Sequence, residues 1–324
     1  MRTTEKKRMT QLDEILQGVE SVAIGGHVRP DGDCISSCLA TYNYIRTYYP
    51  KIDAALYLEP IPNIFKFLTR ADEIISENSR EKVYDLFIAQ DCGDMGRLGD
   101  AARYCKSAKR TVCIDHHISN TGFADEDYID PEASSTSELI YRLLPKERIT
   151  REIAECIYTG MVHDTGVFHY SCTKRATMEA AGHLMELGIN YPKIVDDTYY
   201  TKTFEQNRIL GLALLKSERS LDGRFIFSVI TEKEMQQYGV LPKHLEGIVA
   251  QLRSTKDVEV AVFLYQTGAD DYKVSLRSSQ EVDVAKIAVS YGGGGHIRAA
   301  GCTVCGEVEQ IIARLKEQVA AQMR

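Results

Sequence analysis

The stretch "AIGGHVRPDGDCISS", residues 23–37, decides how this chain is read. A short apolar run ends in a glycine pair, and His27, Asp31 and Asp33 follow within seven residues, with Pro30 and Gly32 between them. The continuation, "SSCLATYNYIRTYY", carries apolar residues at helical spacing. Imidazole and carboxylate placed so close together, between a strand and a helix, either cap the helix or hold a metal ion.

Outward from this stretch the pattern repeats. Apolar runs at 21–26, 53–58, 84–90 and 110–115 alternate with segments of helical period at 36–49, 61–70 and 96–106. The segment 134–144 opens on Ser134 and Ser135, suited first to an N-cap and second to a nucleotide contact, and 151–164 is a further helix. Such alternation predicts a parallel sheet covered by helices. Residues from about 190 to 220 read as a helical connector, and a second strand and helix series follows. The expected architecture is α/β in two domains: an N-terminal parallel-sheet domain over 1–190, a linker over 191–220 and a smaller C-terminal α/β domain over 221–324.

The acidic and imidazole residues fall where the strands end. His27, Asp31 and Asp33 follow the first run, Asp91 the third, and Asp115, His116 and His117 close the fourth; "HDTG" adds His163 and Asp164. In open α/β sheets the crevice beyond the carboxyl ends of the strands binds ligands. Any one of these residues could be a cap or a solvated side chain, but together they exceed what one ion can use. Oxygen ligands suit magnesium or manganese, and the imidazoles move the choice toward manganese. Two ions about 3.5 to 4 Å apart would need a bridging carboxylate. No closed zinc site is expected, because cysteine is read as standing outside the ligand motifs.

Composition narrows the function. The chain has 324 residues, 44% hydrophobic and 26% charged, with a net charge of −7, which argues against gripping long nucleic acid along a basic face. The basic run at 5–8 reads as a solvated terminus. No window reaches the roughly 18 apolar residues of a membrane span, and no secretory segment is seen, so a cytoplasmic protein is expected. Nine cysteines without framework spacing suggest free thiols. Cys302 and Cys305 form a lone C-x-x-C, a weak zinc or redox signal.

In chain order, "HVRPDGD", "AQDCGD", "IDHH" and "HDTGVF" resemble the four motifs of the DHH phosphoesterase superfamily, and "GGGGHIRAAG" (292–301) resembles the signature of its subfamily-one associated domain. The resemblance is greatest to the bifunctional oligoribonuclease and 3′-phosphoadenosine 5′-phosphate phosphatase group. It implies two manganese ions, with magnesium or cobalt as alternatives. His27 and Asp31 would hold one ion, Asp33, His116 and Asp164 the other, and Asp91 would bridge. Asp115 would orient an imidazole, and His117 would contact the scissile phosphate or the leaving oxygen.

The second domain would supply the substrate contacts. Gly293, Gly294 and Gly295 allow backbone N–H groups close to a phosphate, with His296 and Arg298 beside them. Arg277 ends a strand and suits a bidentate phosphate contact or an ordinary surface position. The expected substrates are short RNA, dinucleotides and nucleoside bisphosphates, without long nucleic acid or membrane partners, and a homodimer is left open. The rival readings are a phosphodiesterase for cyclic or linear dinucleotides and, from another class, a catalytically silent nucleotide-binding sensor.

Overall fold

The computed structural model describes residues 11–77 and 81–323; the basic run at 5–8 lies outside them. Two compact units divide between Thr201 and Lys202, a point within the segment read as a linker. Each forms its own sheet and core.

In the first unit, β1 (Ser21–Gly25), β2 (Asp53–Tyr57), β3 (Leu86–Gln90), β4 (Arg110–Asp115) and β5 (Glu126–Ile129) pair in parallel, in the order β2-β1-β3-β4-β5. All of β3 and nearly all of β1 are buried, as a sheet covered on both faces requires. Alternate residues separate two cores. Val22, Ile24, Leu86, Ile88, Val112 and Ile114 face the larger one, and Ala23, Phe87, Ala89 and Cys113 face the other.

The helices of this unit are α1 (Leu12–Ile15), α2 (Gly32–Tyr48), α3 (Ala102–Ser107), α4 (Thr136–Leu143), α5 (Arg151–Asp164), α6 (Arg175–Glu186) and α7 (Tyr191–Val195). Helix α2 is buried from Gly32 to Ile45 and packs against α4 and α5. Asp31 caps it, accepting the backbone N–H groups of Asp33 (3.2 Å) and Cys34 (3.1 Å).

Three local expectations change. The helix expected over 61–70 is reduced to single turns at Asn63–Phe65 and Ala71–Glu73. Arg70 has a left-handed backbone, and the apolar residues split between buried Phe65 and Leu68 and exposed Ile64 and Phe67, so no single helical stripe exists. The helix expected over 96–106 breaks at Gly99, whose φ is +54°. Strand β5 and helix α6 were not foreseen; β5 is a half-exposed edge whose sequence, EDYI, lacks clear alternation.

The second unit carries α8 (Phe204–Leu215), α9 (Glu232–Tyr238), α10 (Ile248–Arg253), α11 (Val284–Ser290) and α12 (Val308–Ala320). Its strands are β6 (Glu218–Ser220), β7 (Phe225–Ile230), β8 (Val260–Gln266), β9 (Asp271–Ser278), β10 (Gly294–His296) and β11 (Ala299–Cys305), in the order β10-β11-β9-β8-β7-β6. Only β7 and β8 pair in parallel. Tyr272, Val274 and Leu276 of β9 share a core with residues of α11 and α12, while β8 is covered on its other face as well, by residues of α8, α9 and α10. Cys302 is buried and Cys305 exposed on β11. Three residues apart on a strand, the two thiols point to opposite faces, which removes the lone C-x-x-C as a shared site.

One loop is held from both sides. Glu259, 6% exposed, accepts the backbone N–H groups of Gln280 (3.1 Å), Glu281 (2.6 Å) and Val282 (3.0 Å). Arg298 donates to the carbonyls of Val282 (2.9 Å) and Gln280. Glu259→Ala leaves these amides without their acceptor and should destabilise the second unit by about 2 to 4 kcal/mol. Glu259→Gln, which keeps one acceptor oxygen, should cost less. Urea denaturation of both variants checks this, and equal, small losses would show that the loop does not depend on the carboxylate.

Candidate metal centre

Strands β1, β3 and β4 end along one edge of the parallel sheet. Because β1 lies between β2 and β3, the chain order reverses there, which opens a crevice at their carboxyl ends. His27 and Asp31 follow β1, Asp91 follows β3, and Asp115 closes β4.

Asp91 stands at the centre. It is 2% exposed, its backbone is left-handed (φ +51°), and its N–H donates to Ile114 O at 3.1 Å. A non-glycine residue held in that conformation is strained, and such strain gathers at functional sites. Its Oδ2 lies 3.5 Å from His27 Nε2, and its Oδ1 lies 3.6 Å from both His116 Nε2 and His117 Nδ1. The two oxygens of one carboxylate therefore face two separate sets of imidazoles.

On one side, His27 Nδ1 lies 2.9 Å from Val28 O. Donation to that carbonyl turns Nε2 toward Asp91 and toward Asp31, 3.6 Å away. On the other, Asp33, His116 and Asp164 each offer a ligand atom within 4.8 Å of the other two, and His116 Nε2 is 3.1 Å from Asp164 Oδ2. Both oxygens of Asp33 accept backbone N–H groups from the first turn of α4, Thr136 at 2.6 Å and Ser137 at 2.9 Å. That turn approaches because Gly160 has no side chain: a Cβ there would sit 2.0 Å from Ser137 Oγ and 2.7 Å from Asp33 Oδ1.

The third motif forms a relay. Asp115 Oδ1 accepts from His117 Nδ1 (2.7 Å) and from the His116 N–H (2.9 Å), and Asn120 donates to Asp115 Oδ2 at 2.8 Å. With Nδ1 committed to Asp115, His117 keeps Nε2 for another partner. Shortly after Asp164, Gly166, Val167 and Phe168 all have positive φ, a conformation that is strained for Val167 and Phe168.

The electrostatics are those of crowded acids. Burial, then Asp91 and Asp164, pushes the Asp33 carboxyl well above its usual range. Burial, then Asp91 and Asp31, pushes Asp164 up to about 8. Burial would raise Asp31 too, but His27 outweighs it and holds Asp31 at about 2. His27 is raised because Asp31 and Asp91 outweigh its burial, and His117 is raised by Asp115. Burial lowers His116. A divalent cation would relieve this repulsion, and the oxygen and imidazole donors suit one.

Several neighbours were not legible in sequence. Thr136 donates its hydroxyl to Asp91 Oδ1 at 3.1 Å, and Asn120, three residues past His117, is identified only by its contact with Asp115. Cys34 corrects the expectation that cysteine stands apart: it lies inside the opening stretch and beside His27 and Asp91. Ser134 and Ser135 are structural. Ser135 caps α4 through Glu138 N at 3.0 Å, and Ser134 hydrogen-bonds the Glu138 carboxylate. His163 packs edge-on against Phe65 and lies 3.0 Å from Thr198 Oγ1.

The candidates of the second unit gather near the β10–β11 hairpin. His296 pairs with Ala299, and Ala299 pairs with Arg277 on β9, so these three form one row on one face. Ser275 and Gly301 share that face one pleat further along. Much of the glycine requirement is structural. Gly292 has φ +72°, and a Cβ at Gly293 or Gly295 would come within 2.2 Å or 2.4 Å of the carbonyls of Gly301 or Ala299. Gly294 alone of the four has open space and an ordinary φ. Arg298, expected at a phosphate, turns its guanidinium to the 280–282 loop.

The fold and the site define a class: an α/β protein whose strand ends present acids and imidazoles that could hold divalent cations. Residues 21–161 match the DHH family, N-terminal domain, and residues 222–321 match the DHHA1 domain. The chain belongs to the DHH family and is a phosphoesterase. It is 29% identical over 315 residues to the bifunctional oligoribonuclease and PAP phosphatase NrnA of Bacillus subtilis, covering 95% of this chain and 97% of that one. The NrnA of Thermus thermophilus is 26% identical, covering 98% and 95%. The crystal structure of an exopolyphosphatase-related protein from Bacteroides fragilis superposes with a TM-score of 0.87 at 26% identity, covering 96% of this chain and 94% of that one. Among the described residues, no helix is long and apolar enough to cross a membrane.

The acid cluster predicts an opposing pH and metal effect. Asp164, at about 8 folded against 3.8 ordinarily, contributes stability that is complete below about pH 4 and is lost as pH rises through about 8. Asp33, His27 and His117 act in the same sense and His116 opposes them, while the contribution of Asp31 is lost only as pH falls toward about 2. The melting temperature of chelator-treated protein should therefore fall between about pH 5 and pH 8, with an added divalent cation restoring it most at the upper end. A flat profile indifferent to divalent cations would contradict the cluster's role.

Proposed function

We propose that this phosphoesterase hydrolyses very short RNA to 5′-mononucleotides and removes the 3′-phosphate of 3′-phosphoadenosine 5′-phosphate, using two manganese ions. The observation that carries the reading is the division of Asp91, with one oxygen toward His27 and Asp31 and the other toward His116 in the group that includes Asp33 and Asp164. The names of the NrnA relatives from Bacillus and Thermus support the substrate class.

Two divalent cations, when bound, supply Lewis-acid charge and lower the pKa of a water to near neutrality. His27 and Asp31 would hold one, Asp33, His116 and Asp164 the other, with Asp91 shared. Asp115 fixes the tautomer and orientation of His117. His117 is 27% exposed, within reach of substrate, and its raised pKa favours the imidazolium. It can hold a phosphate oxygen and give a proton to the departing 3′-oxygen. In the second unit, His296 and Arg277 would hold the terminal phosphate or base, with Gly293, Gly294 and Gly295 beside them, and Arg298 would position the hairpin.

The test is a substrate panel with manganese: dinucleotides, five-nucleotide and thirty-nucleotide RNA, adenosine bisphosphate, cyclic dinucleotides and pyrophosphate. Rates should fall steeply beyond about five nucleotides, because a chain of net charge −7 has little with which to neutralise a long phosphate backbone. Degradation of the thirty-nucleotide RNA as fast as a dinucleotide would reject the reading.

Asp91→Ala should abolish turnover and lower metal content while the fold survives, because both ions lose a ligand. His117→Ala should keep its metal and lose less activity. Metal analysis and rates on both variants decide this, and equal, small losses would remove the bridging role. His296→Ala should leave manganese content unchanged and lower kcat/KM on dinucleotides by about 10²-fold, about 3 kcal/mol of transition-state stabilisation. A small artificial phosphodiester, which has no terminal phosphate to hold, should lose far less. Loss of metal in His296→Ala would place that residue in the metal centre instead.

A further inference from the structure

The thiol of Cys34 has no place in the reading above, yet it is built into the centre. Cys34 lies in the first turn of α2, with its N–H accepted by Asp31, and it is fully buried. Its Sγ, a His27 nitrogen and an Asp91 oxygen all lie within 4.8 Å of one another. His27 and Asp91 are themselves 5% and 2% exposed. Gly26 leaves room for the sulfur: a Cβ there would come within 2.2 Å of it.

We propose that Cys34 makes the His27 end of the centre a binding site for a thiophilic divalent ion, zinc or cadmium, in competition with the hard ion that supports turnover. Sulfur, imidazole and carboxylate together are a zinc ligand set and a poor one for magnesium or manganese. Zinc bonds of about 2.0 to 2.3 Å place tetrahedral donors about 3.3 to 3.8 Å apart, so the three groups need only a small closure. Asp31, whose Oδ1 lies 3.6 Å from His27 Nε2 but outside the three-residue cluster, would complete the set by turning inward. On binding, the Cys34 S–H bond breaks, a sulfur–metal bond forms and the proton leaves to water. With Asp31 turned in, four protein donors would leave no open position, so the thiophilic ion would occupy the centre without supporting the reaction.

The inference rests on the metal-centre reading of His27 and Asp91, but its test is spectroscopic and needs no substrate. Full-length protein carrying Cys305→Ser, which removes the exposed thiol, is stripped with chelator and titrated with cadmium and separately with cobalt. A near-ultraviolet thiolate-to-metal charge-transfer band should saturate at one ion per chain. It should vanish in Cys34→Ser, which preserves the volume, and in Cys34→Ala, both checked for folding by circular dichroism and melting temperature. Zinc should inhibit manganese-supported turnover, and Cys34→Ser should raise the inhibiting zinc concentration at least about tenfold. Absence of the band in the parent, its persistence without Cys34, or unchanged zinc sensitivity would overturn the proposal. If the band appears as expected while dinucleotides are not cleaved, the thiol site stands and the proposed substrate reading falls.

Discussion

The organising constraint of the first unit is the mutual repulsion of carboxylates buried around Asp91. Asp33 and Asp115 gather near it out of water, with Asp164 partly exposed and Asp31 at the open side, and where water is excluded like charges are poorly screened. The chain answers each one locally. Asp31 takes two amides of α2, Asp33 takes two amides of α4, and Asp115 is held by His117 and Asn120. Asp164 lacks comparable amide support in this set and is pushed up to about 8. What the protein leaves unbalanced is charge that a divalent cation can neutralise.

The same constraint explains features that look incidental in isolation. Helix α4 must bring its first turn to Asp33, so α5 has glycine at 160, where any side chain would collide with Ser137. Gly32 likewise admits the His163 ring, which a Cβ would meet at 2.3 Å. Of the strained positive-φ residues of this unit, Asp91, Val167 and Phe168 lie on or shortly after acids of the centre, and Arg29 lies between His27 and Asp31. Packing elsewhere in the unit holds these conformations.

In the second unit, the constraint is a backbone one. The loop from Gln280 to Val282 gives its N–H groups to buried Glu259 and two of its carbonyls to Arg298. The hairpin that carries His296 is thereby tied to the loop entering α11, and Val284 N adds a bond to Ile297 O at 3.0 Å. A glycine-rich segment that would be loose in isolation becomes an ordered edge of the sheet, with His296, Ala299 and Arg277 in one row.

The strand-ending pattern was legible in sequence because a parallel sheet buried on both faces needs unbroken apolar runs, and polar residues can appear only where those runs stop. That logic located His27, Asp31, Asp33, Asp91, Asp115 and His116 at strand ends and helix starts, and the family resemblance assigned them roles. The exposed edge strand β5 escaped it, because an edge needs no such run, and the segment 61–70 misled it, because local spacing cannot see which side chains find a core. Nor could sequence show that Arg298 serves a loop, that three of four glycines are demanded by the hairpin, or that Cys34 stands beside His27. Those facts depend on which backbone atoms from distant parts of the chain come within hydrogen-bonding or van der Waals distance. The sequence alone determined which residue types reach the strand ends; the tertiary structure decided which atoms face one another there, because distances between segments are set by packing.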